Sequence, residues 1–288
     1  MIKTILAPLT GTEDDQAVLD TALALAGPFG AHVECFHDYV DAADAAAALP
    51  QVSYLQGAAL RSALEQFSQL GQARAAAVLR RYSRFRELHA VPERTVASPC
   101  GGISASLLQI SGSPVHNLVQ RARHHDLTVM ARAQPIDGLP ADLAGRVLRE
   151  GGQPLLLVPR YASDRLLDTV MVCWKDTAQA ARALATALPL LQQAKRVLLT
   201  SVDEGGGVAA DAVQAALRHL AWHGVNADPR TTACHGRLTM DTLWHCAQES
   251  QADLLVLGAY SHGPTRELLF GGCTDSALSR GELPVLLV

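Results

Sequence analysis

The chain has 288 residues, of which 49% are hydrophobic and 18% are charged, and its net charge is −4. This length is sufficient for two domains, and the slight negative charge predicts no general affinity for nucleic acid or for anionic membranes. The apolar runs are short beside the roughly 20 residues that cross a bilayer, so no membrane partner is expected.

The cysteines and the first residues of the chain indicate a reducing compartment. Six cysteines in a chain of this length do not form a disulfide framework. The opening residues Met1–Ala7 run directly into a strand-like segment and lack the long apolar block of a secretory signal. We therefore expect a cytoplasmic location.

Three short segments occur twice, in the same order. The similar pairs are Thr4–Thr12 with Thr169–Thr177, Asp126–Ala131 with Asp253–Gly258, and Pro154–Val158 with Pro284–Val288. Matched segments in a matched order indicate a tandem duplication. We predict two domains, residues 1–160 and 166–288, joined by a short polar linker.

The predicted elements alternate between short apolar strands and longer amphipathic helices. The strands of copy one are Ile2–Pro8, His32–His37, Ser104–Ile110, Leu127–Ala131 and Pro154–Val158. The strands of copy two are Val170–Trp174, Arg196–Val202, Asp228–Ala233, Leu254–Leu257 and Val285–Val288. Runs of Val, Leu and Ile are typical of parallel strands that are covered on both faces. With right-handed crossovers, the pattern predicts two α/β domains, each a doubly wound five-stranded parallel sheet.

A threonine is predicted to begin the first helix of each copy. Thr12 precedes a run of acidic residues and Thr177 precedes an apolar stripe at helical spacing, so both are expected to act as N-caps. Gly27 and Pro28 are expected to end the first helix.

Copy one carries an insertion between its second and third strands. From Thr12 to Asp126 is 114 positions, whereas from Thr177 to Asp253 is 76, which leaves 38 extra residues in copy one. The stretch from Gln56 to Leu88 has a helical pattern that ends in a basic cluster. The cluster consists of Arg80, Arg81, Arg84 and Arg86. A solvated helix face is the favoured interpretation, and a lid or a partner-docking arm is the alternative.

A glycine-containing segment follows the fourth strand of copy two and has no counterpart in copy one. It runs from Gly258 through Ser261 to Gly271 and Gly272, where a helix that includes Thr274 is predicted to begin. Ligands of open α/β sheets bind beyond the carboxyl ends of the strands. Glycines there let main-chain N–H groups approach phosphate oxygens, and a helix N-terminus favours an anion. The segment predicts a phosphate site, although a glycine turn that binds nothing fits the same residues.

At these residues the chain resembles a tandem universal stress protein, and each copy is similar to that family's single domain over nearly its whole length. The family's nucleotide motif reads Gly-x2-Gly-x9-Gly-Ser/Thr, and Gly258 and Gly271 match its first and last glycines. Ser261 stands where the middle glycine is expected, and Gly272 stands where the serine or threonine is expected. Lys175 replaces the acid that usually follows the first strand.

The resemblance implies a fold and a function. The fold is adenine nucleotide alpha hydrolase-like, with the two copies packed through their last strands as an internal pseudo-dimer. The function is that of a stress-response protein that binds ATP or a related adenine nucleotide in the C-terminal domain, with Mg²⁺ as an accompanying ion. Such proteins act as regulators or chaperone-like partners of other proteins, and a homodimer is compatible with the family. The predicted nucleotide-binding residues are Cys173, Trp174, Lys175, Val202, Gly258, Ser261, Gly271, Gly272 and Thr274.

Two alternatives stay open. The chain is a universal stress protein that binds no nucleotide and serves as a scaffold or small-ligand sensor, or it is a weak nucleotide hydrolase for which Asp176 is the candidate metal ligand. Copy one has Ala131 and Gln134 where copy two has Gly258 and Ser261, so copy one is predicted to bind no ATP in the family's manner.

Two cysteine–histidine pairs carry side chains that suit zinc. Cys234 and His235 precede His245 and Cys246 by a spacing that is not that of a common zinc module. A core cysteine and a solvated histidine is the favoured interpretation.

Overall fold

The structure is a computed structural model that describes residues 1–39, 57–97, 101–132, 139–160, 165–259, 273–280 and 283–288. The strands within these ranges are β1 Thr4–Pro8, β2 His32–Tyr39, β3 Ser104–Ser111, β4 Leu127–Ala131, β5 Leu155–Val158, β6 Thr169–Cys173, β7 Arg196–Asp203, β8 Ala227–Ala233, β9 Leu254–Leu257 and β10 Val285–Leu287. The helices are α1 Asp15–Phe29, α2 Gly57–His89, α3 Pro114–Ala122, α4 Leu143–Gly151, α5 Ala178–Leu191, α6 Ala210–Trp222, α7 Thr239–Glu249 and α8 Cys273–Ser279. No helix of these ranges is long and apolar enough to span a membrane.

All ten predicted strands are present, and their ends differ from the prediction by at most two residues. The most apolar of them are the most buried: every residue of β5 and β9 is buried. Consecutive leucines and valines place apolar side chains on both faces of a strand, so such strands are stable only between two layers of helices. The α/β class predicted from the sequence is confirmed.

The chain divides into two compact units, Ile2–Gln153 and Pro154–Val288, with Met1 in the second. The strand order of the first unit is β3-β2-β1-β4, and its paired strands are parallel. The order of the second is β5-β10-β9-β6-β7-β8, where β5 and β10 are antiparallel and the other pairs are parallel. The last strands of the two sequence copies therefore pair with each other. The domain boundary predicted near residue 160 stays a prediction.

An aspartate fixes the start of the first strand in each copy. Asp126 Oδ2 accepts hydrogen bonds from the backbone N–H groups of Lys3 and Thr4, at 2.7 and 2.9 Å. Asp253 Oδ2 accepts one from the backbone N–H of Thr169 at 2.9 Å. Since the two aspartates hold matching positions in the repeated segments, the similarity between the copies extends to individual hydrogen bonds.

The two predicted N-caps have different outcomes. Thr177 caps α5, because its Oγ1 accepts a hydrogen bond from the backbone N–H of Ala180 at 3.2 Å. Thr12 does not cap α1, which begins three residues later at Asp15. Asp14 is the N-cap residue and makes no side-chain cap hydrogen bond, while the Asp15 carboxylate accepts hydrogen bonds from the backbone N–H groups of Thr10 and Gly11 in the preceding loop.

The predicted end of α1 at Gly27 and Pro28 is wrong. The helix continues to Phe29, and the chain leaves it at Gly30 with a φ of 58°. Glycine adopts this left-handed conformation without the steric cost that a Cβ brings, so Gly30 is the residue that ends the helix.

Candidate functional site

A cleft opens at the carboxyl ends of β6, β7 and β9 in the second unit. β6 and β9 are neighbours in the sheet, but the chain continues from β6 to β7 on one side of this pair and from β9 to β10 on the other. Open α/β sheets bind ligands at such a change of direction. The lining residues are Cys173, Trp174, Lys175, Thr177, Ala180, Thr200, Val202, Glu204, Thr239, Leu243, Leu257, Gly258, Cys273 and Thr274.

The cleft brings together most of the predicted nucleotide-binding residues. Those that line it are Cys173, Trp174, Lys175, Val202, Gly258 and Thr274. The other three, Ser261, Gly271 and Gly272, lie outside the described residues. The structure thus brings the residues at the ends of β6 and β7 together with Gly258 and Thr274, the two ends of the predicted phosphate segment. The role of these residues in binding stays a prediction.

Gly258 packs against the first turn of α5. A Cβ on this residue would lie 2.6 to 2.7 Å from backbone atoms of Gln179 and Ala180. This is much closer than van der Waals contact, so only glycine lets the end of β9 approach the helix this closely. Packing therefore accounts for Gly258 without any phosphate, and the glycine motif carries less information about a ligand than its spacing indicates.

Lys175, Glu204 and Thr239 form a hydrogen-bonded chain in the cleft wall. Lys175 Nζ donates to Glu204 Oε2 at 2.7 Å, and Thr239 Oγ1 donates to Glu204 Oε1 at 2.9 Å. The lysine and glutamate side chains are 50% and 44% exposed, so water screens the ion pair. Lys175 therefore lies in the wall of the cleft, and Glu204 balances its charge.

Two polar atoms of the wall are buried without a hydrogen-bond partner among the described residues. They are Trp174 Nε1 and Thr200 Oγ1. The two residues are neighbours, since the backbone N–H of Trp174 donates to Thr200 O at 2.8 Å. An indole N–H only donates, whereas a hydroxyl both donates and accepts. Because a buried polar group without a partner costs free energy, this part of the wall favours a ligand with a hydrogen-bond acceptor.

Cys173 and Cys273 face the cleft as neutral thiols. Burial raises the pKa of both thiols, and for Cys273 the Glu204 carboxylate adds to the increase while the Lys175 ammonium opposes it. The thiolate is the form that attacks electrophiles and binds metals. Neither cysteine is therefore suited to covalent catalysis at neutral pH.

The described residues of the cleft do not fit a metal site that the protein holds alone. Asp176, the candidate ligand, is exposed and does not line the cleft. Within the ranges that the structure describes, no three histidine, cysteine, aspartate or glutamate side chains are placed to hold a metal ion. Cys246 is buried and His245 is exposed, in agreement with the interpretation of this pair as a core cysteine and a solvated histidine. His245 Nε2 lies 3.4 Å from Glu249 Oε1.

In the described part of the first unit, α2 lies on the turn that follows β1, and Asp15 holds this turn. Asp15 is buried, and its carboxylate accepts hydrogen bonds from the backbone N–H groups of Thr10 and Gly11 at 2.7 and 2.9 Å. A Cβ on Gly11 would lie 2.9 Å from Arg74 Cα, which is an α2 backbone atom. The helix therefore lies directly on the turn after β1, whereas the corresponding turn in the second unit borders the cleft.

The basic cluster of α2 is only partly a solvated face. Arg81 Nη1 donates to Gly11 O at 2.9 Å and lies 3.9 Å from Asp15 Oδ2. Arg86 Nη1 lies 2.6 Å from Glu93 Oε2. The other two members of the cluster are exposed: Arg80 and Arg84. The interpretation is wrong for Arg81 and Arg86, because both side chains tie α2 to its own unit.

Four polar residues of the cleft are absent from the predicted nucleotide-binding set: Thr177, Thr200, Glu204 and Thr239. Thr177 is predicted only as a helix N-cap. Thr200 places a hydroxyl group within the largely apolar strand β7, and Glu204 directly follows this strand. Polar residues near the carboxyl end of a parallel strand are a signal that sequence reasoning can use. Thr239 offers no such signal, because its place in the cleft depends on how α7 packs.

Comparison with solved structures identifies the fold. No protein-family model matches the chain, and no curated protein matches it. A universal stress protein from Archaeoglobus fulgidus DSM 4304 is similar at a TM-score of 0.67 and 16% identity, covering 99% of this chain and 95% of that chain. A candidate universal stress protein from Pseudomonas aeruginosa UCBPP-PA14 is similar at a TM-score of 0.58 and 16% identity, covering 100% and 93%. A functionally unknown protein from Pseudomonas aeruginosa PAO1 has a TM-score of 0.57, also at 16% identity, covering 100% and 92%. Because the sequence identity is only 16% in each case, these similarities establish the fold alone.

Proposed function

We propose that this chain, which has the fold of the universal stress proteins, binds ATP or a related adenine nucleotide in the cleft of its second unit and acts as a nucleotide-dependent regulator. The observation that carries the proposal is the contrast between the two units. The carboxyl edge of the sheet is an open cleft in the second unit, whereas α2 lies on the matching turn of the first. The proposal therefore assigns one nucleotide site to each chain.

The cleft wall suits a purine ring. Val202, Leu243 and Leu257 supply apolar surface, and Trp174 supplies an aromatic ring with a buried N–H donor. Binding sites for small molecules combine a mostly apolar lining with a few polar groups. Adenine has flat faces and ring nitrogens that accept hydrogen bonds, so we assign these residues, together with Cys173, to the adenosine side.

Lys175 supports a phosphate group on the other side of the cleft. Its ion pair with Glu204 is about half exposed, and such pairs contribute about 0–1 kcal/mol. A charge-assisted hydrogen bond to phosphate contributes about 1.5–3 kcal/mol, so the phosphate can replace the carboxylate as the partner of the lysine. The remaining phosphate and ribose contacts in the proposal come from Gly258, Ser261, Gly271, Gly272 and Thr274.

The proposal is one of binding rather than of efficient turnover. Cys173 and Cys273 are neutral thiols, and the described residues of the cleft do not fit a metal held by the protein. Any Mg²⁺ at the site would arrive on the nucleotide phosphates.

A second candidate function is a scaffold or small-ligand sensor that binds no nucleotide. Two observations favour it. Glu204 already accepts hydrogen bonds from Lys175 and Thr239, and Gly258 is explained by packing on α5. Under this alternative the cleft binds a small uncharged molecule through Trp174.

Thermal stability with and without nucleotide separates the two functions. The full chain is heated with ATP, ADP, AMP or no ligand. A nucleotide at 100 times its Kd should add about 2.7 kcal/mol of apparent stability. The absence of a shift with all three nucleotides would leave the scaffold function.

A tryptophan variant tests the adenosine side. Trp174→Phe keeps an aromatic face and removes the N–H donor, so we expect ATP affinity to fall about tenfold, or about 1.4 kcal/mol for one lost hydrogen bond. Trp222→Phe is the matched control, because Trp222 is 89% exposed and does not line the cleft. Equal affinities of both variants and the parent chain, measured by calorimetry, would remove Trp174 from the site.

A further inference from the structure

Two exposed imidazole rings lie against each other at the end of α6. His219 is in the last turn of the helix, and His223 is its C-cap residue. Both side chains are exposed, their ring centres are 4.7 Å apart, and the planes of the rings are tilted by 59°. The pair lies in the second unit, and neither residue lines the nucleotide cleft.

The backbone beneath this pair is held in place. Leu220 is fully buried and anchors the helix to its unit. The backbone N–H of His223 donates to Leu220 O at 3.0 Å, and His223 O accepts a hydrogen bond from Gln192 Nε2 at 2.9 Å. Because the backbone is already fixed, a ligand that orders the two rings pays a smaller entropic cost.

We propose that His219 and His223 form a two-imidazole chelate for a divalent transition-metal ion. Histidines at positions i and i+4 of a helix lie on one face and can bind a single metal ion. Two imidazoles on a tetrahedral ion, with metal–nitrogen distances of about 2.0–2.1 Å, have ring centres about 5 Å apart. The observed 4.7 Å therefore requires only a small opening of the rings.

The ligand type and number define which ions bind and what the site does. Imidazole suits Cu²⁺, Ni²⁺ and Zn²⁺, with Cu²⁺ bound most tightly of the three, whereas Mg²⁺ prefers oxygen ligands. Within the described residues no third histidine, cysteine, aspartate or glutamate completes the pair into a larger cluster. The apolar Leu220 follows His219, where helical zinc peptidase motifs carry a glutamate base, so the site binds an ion without hydrolysing a substrate.

Trp222 provides a direct readout of this site. It lies between Leu220 and His223 in the chain and is 89% exposed, whereas Trp244 is buried and Trp174 is partly buried. A Cu²⁺ ion held by the two histidines should therefore quench mainly the fluorescence of Trp222. The experiment titrates the chelator-treated full chain with CuCl₂ and follows tryptophan emission, with NiCl₂ and ZnCl₂ titrations followed by calorimetry.

We expect saturable binding of one ion per chain in the order Cu²⁺, then Ni²⁺ and Zn²⁺, with no binding of MgCl₂. Either His219→Ala or His223→Ala should weaken binding at least about tenfold, since even indirect partners of a metal contribute that much. His219→Asn keeps a polar side chain on the helix and should give the same loss. His245→Ala is the matched control, because His245 is another exposed helical histidine and pairs with Glu249 instead.

Two results would overturn the proposal. One is the absence of saturable Cu²⁺ binding by the parent chain. The other is a set of His219 variants that bind Cu²⁺ as tightly as the parent, with unchanged circular dichroism. The result is independent of the nucleotide site, because neither histidine contacts that cleft.

Discussion

Replacing Gly258 by alanine should destabilise the second unit even when no ligand is present. The new Cβ would lie 2.6 Å from Gln179 C and 2.7 Å from Ala180 N, and both are backbone atoms in the first turn of α5. Because a backbone cannot rotate away as a side chain can, β9 and α5 must separate by several tenths of an ångström. Overpacking of this kind costs about 1–3 kcal/mol.

Denaturant unfolding followed by tryptophan fluorescence measures this effect. All three tryptophans, Trp174, Trp222 and Trp244, belong to the second unit, so the signal reports on the unit that carries the change. Gly206→Ala is the matched control in the same unit, since its Cβ would meet no atom within 4 Å, and it should change stability by less than about 1 kcal/mol. If the Gly258→Ala chain is as stable as its parent, packing on α5 does not require this glycine, and ligand binding becomes the better explanation for it.

Two predictions concern the closed edge of the first unit. Phe85→Ala should cost about 3–5 kcal/mol, because Phe85 is buried where α2 packs on its unit, whereas Leu79→Ala, on the same helix and 51% exposed, should cost much less. Unfolding by circular dichroism compares the two, and similar losses would show that α2 is not anchored through this face. Burial raises the pKa of the Asp15 carboxyl above 3.8, while hydrogen bonds from Thr10 and Gly11 oppose the increase. The folded chain therefore keeps this proton to higher pH than the unfolded chain, and the contribution of Asp15 to stability is largest below 3.8 and falls as pH rises. The stability deficit of Asp15→Asn should shrink between about pH 4 and pH 7, and a deficit that widens over this range contradicts the prediction.

The strands were predictable from the sequence because their signal is local. A run such as Leu254–Leu257 can be stable only when both faces are buried, and Asp253 before it and Gly258 after it mark its ends. The same reasoning placed the cleft, since parallel strands bring their carboxyl ends to one edge. Gly258 could therefore be placed at this edge without coordinates, whereas the prediction for Cys173 and Val202 rests on the family resemblance; all three residues line the cleft.

The rest depends on tertiary packing, which local patterns do not encode. The helical pattern of α2 was evident, but nothing in it shows that Arg74 lies on Gly11 or that Arg81 reaches Asp15. The pairing of Lys175 with Glu204 likewise joins residues from two different strand ends. Such contacts form only after the crossovers have brought the elements together.

The two copies show how one fold can close a ligand edge or leave it open. Asp15 in the first copy matches Ala180 in the second, since each lies at the same distance from the repeated Thr4 or Thr169. A buried carboxylate is costly without partners, and here the turn after β1 and the guanidinium of Arg81 supply them. Those groups and α2 then occupy the edge themselves. Copy two has alanine at the matching position and lacks the insertion that forms α2, and the edge of the second unit borders the cleft, which Ala180 lines.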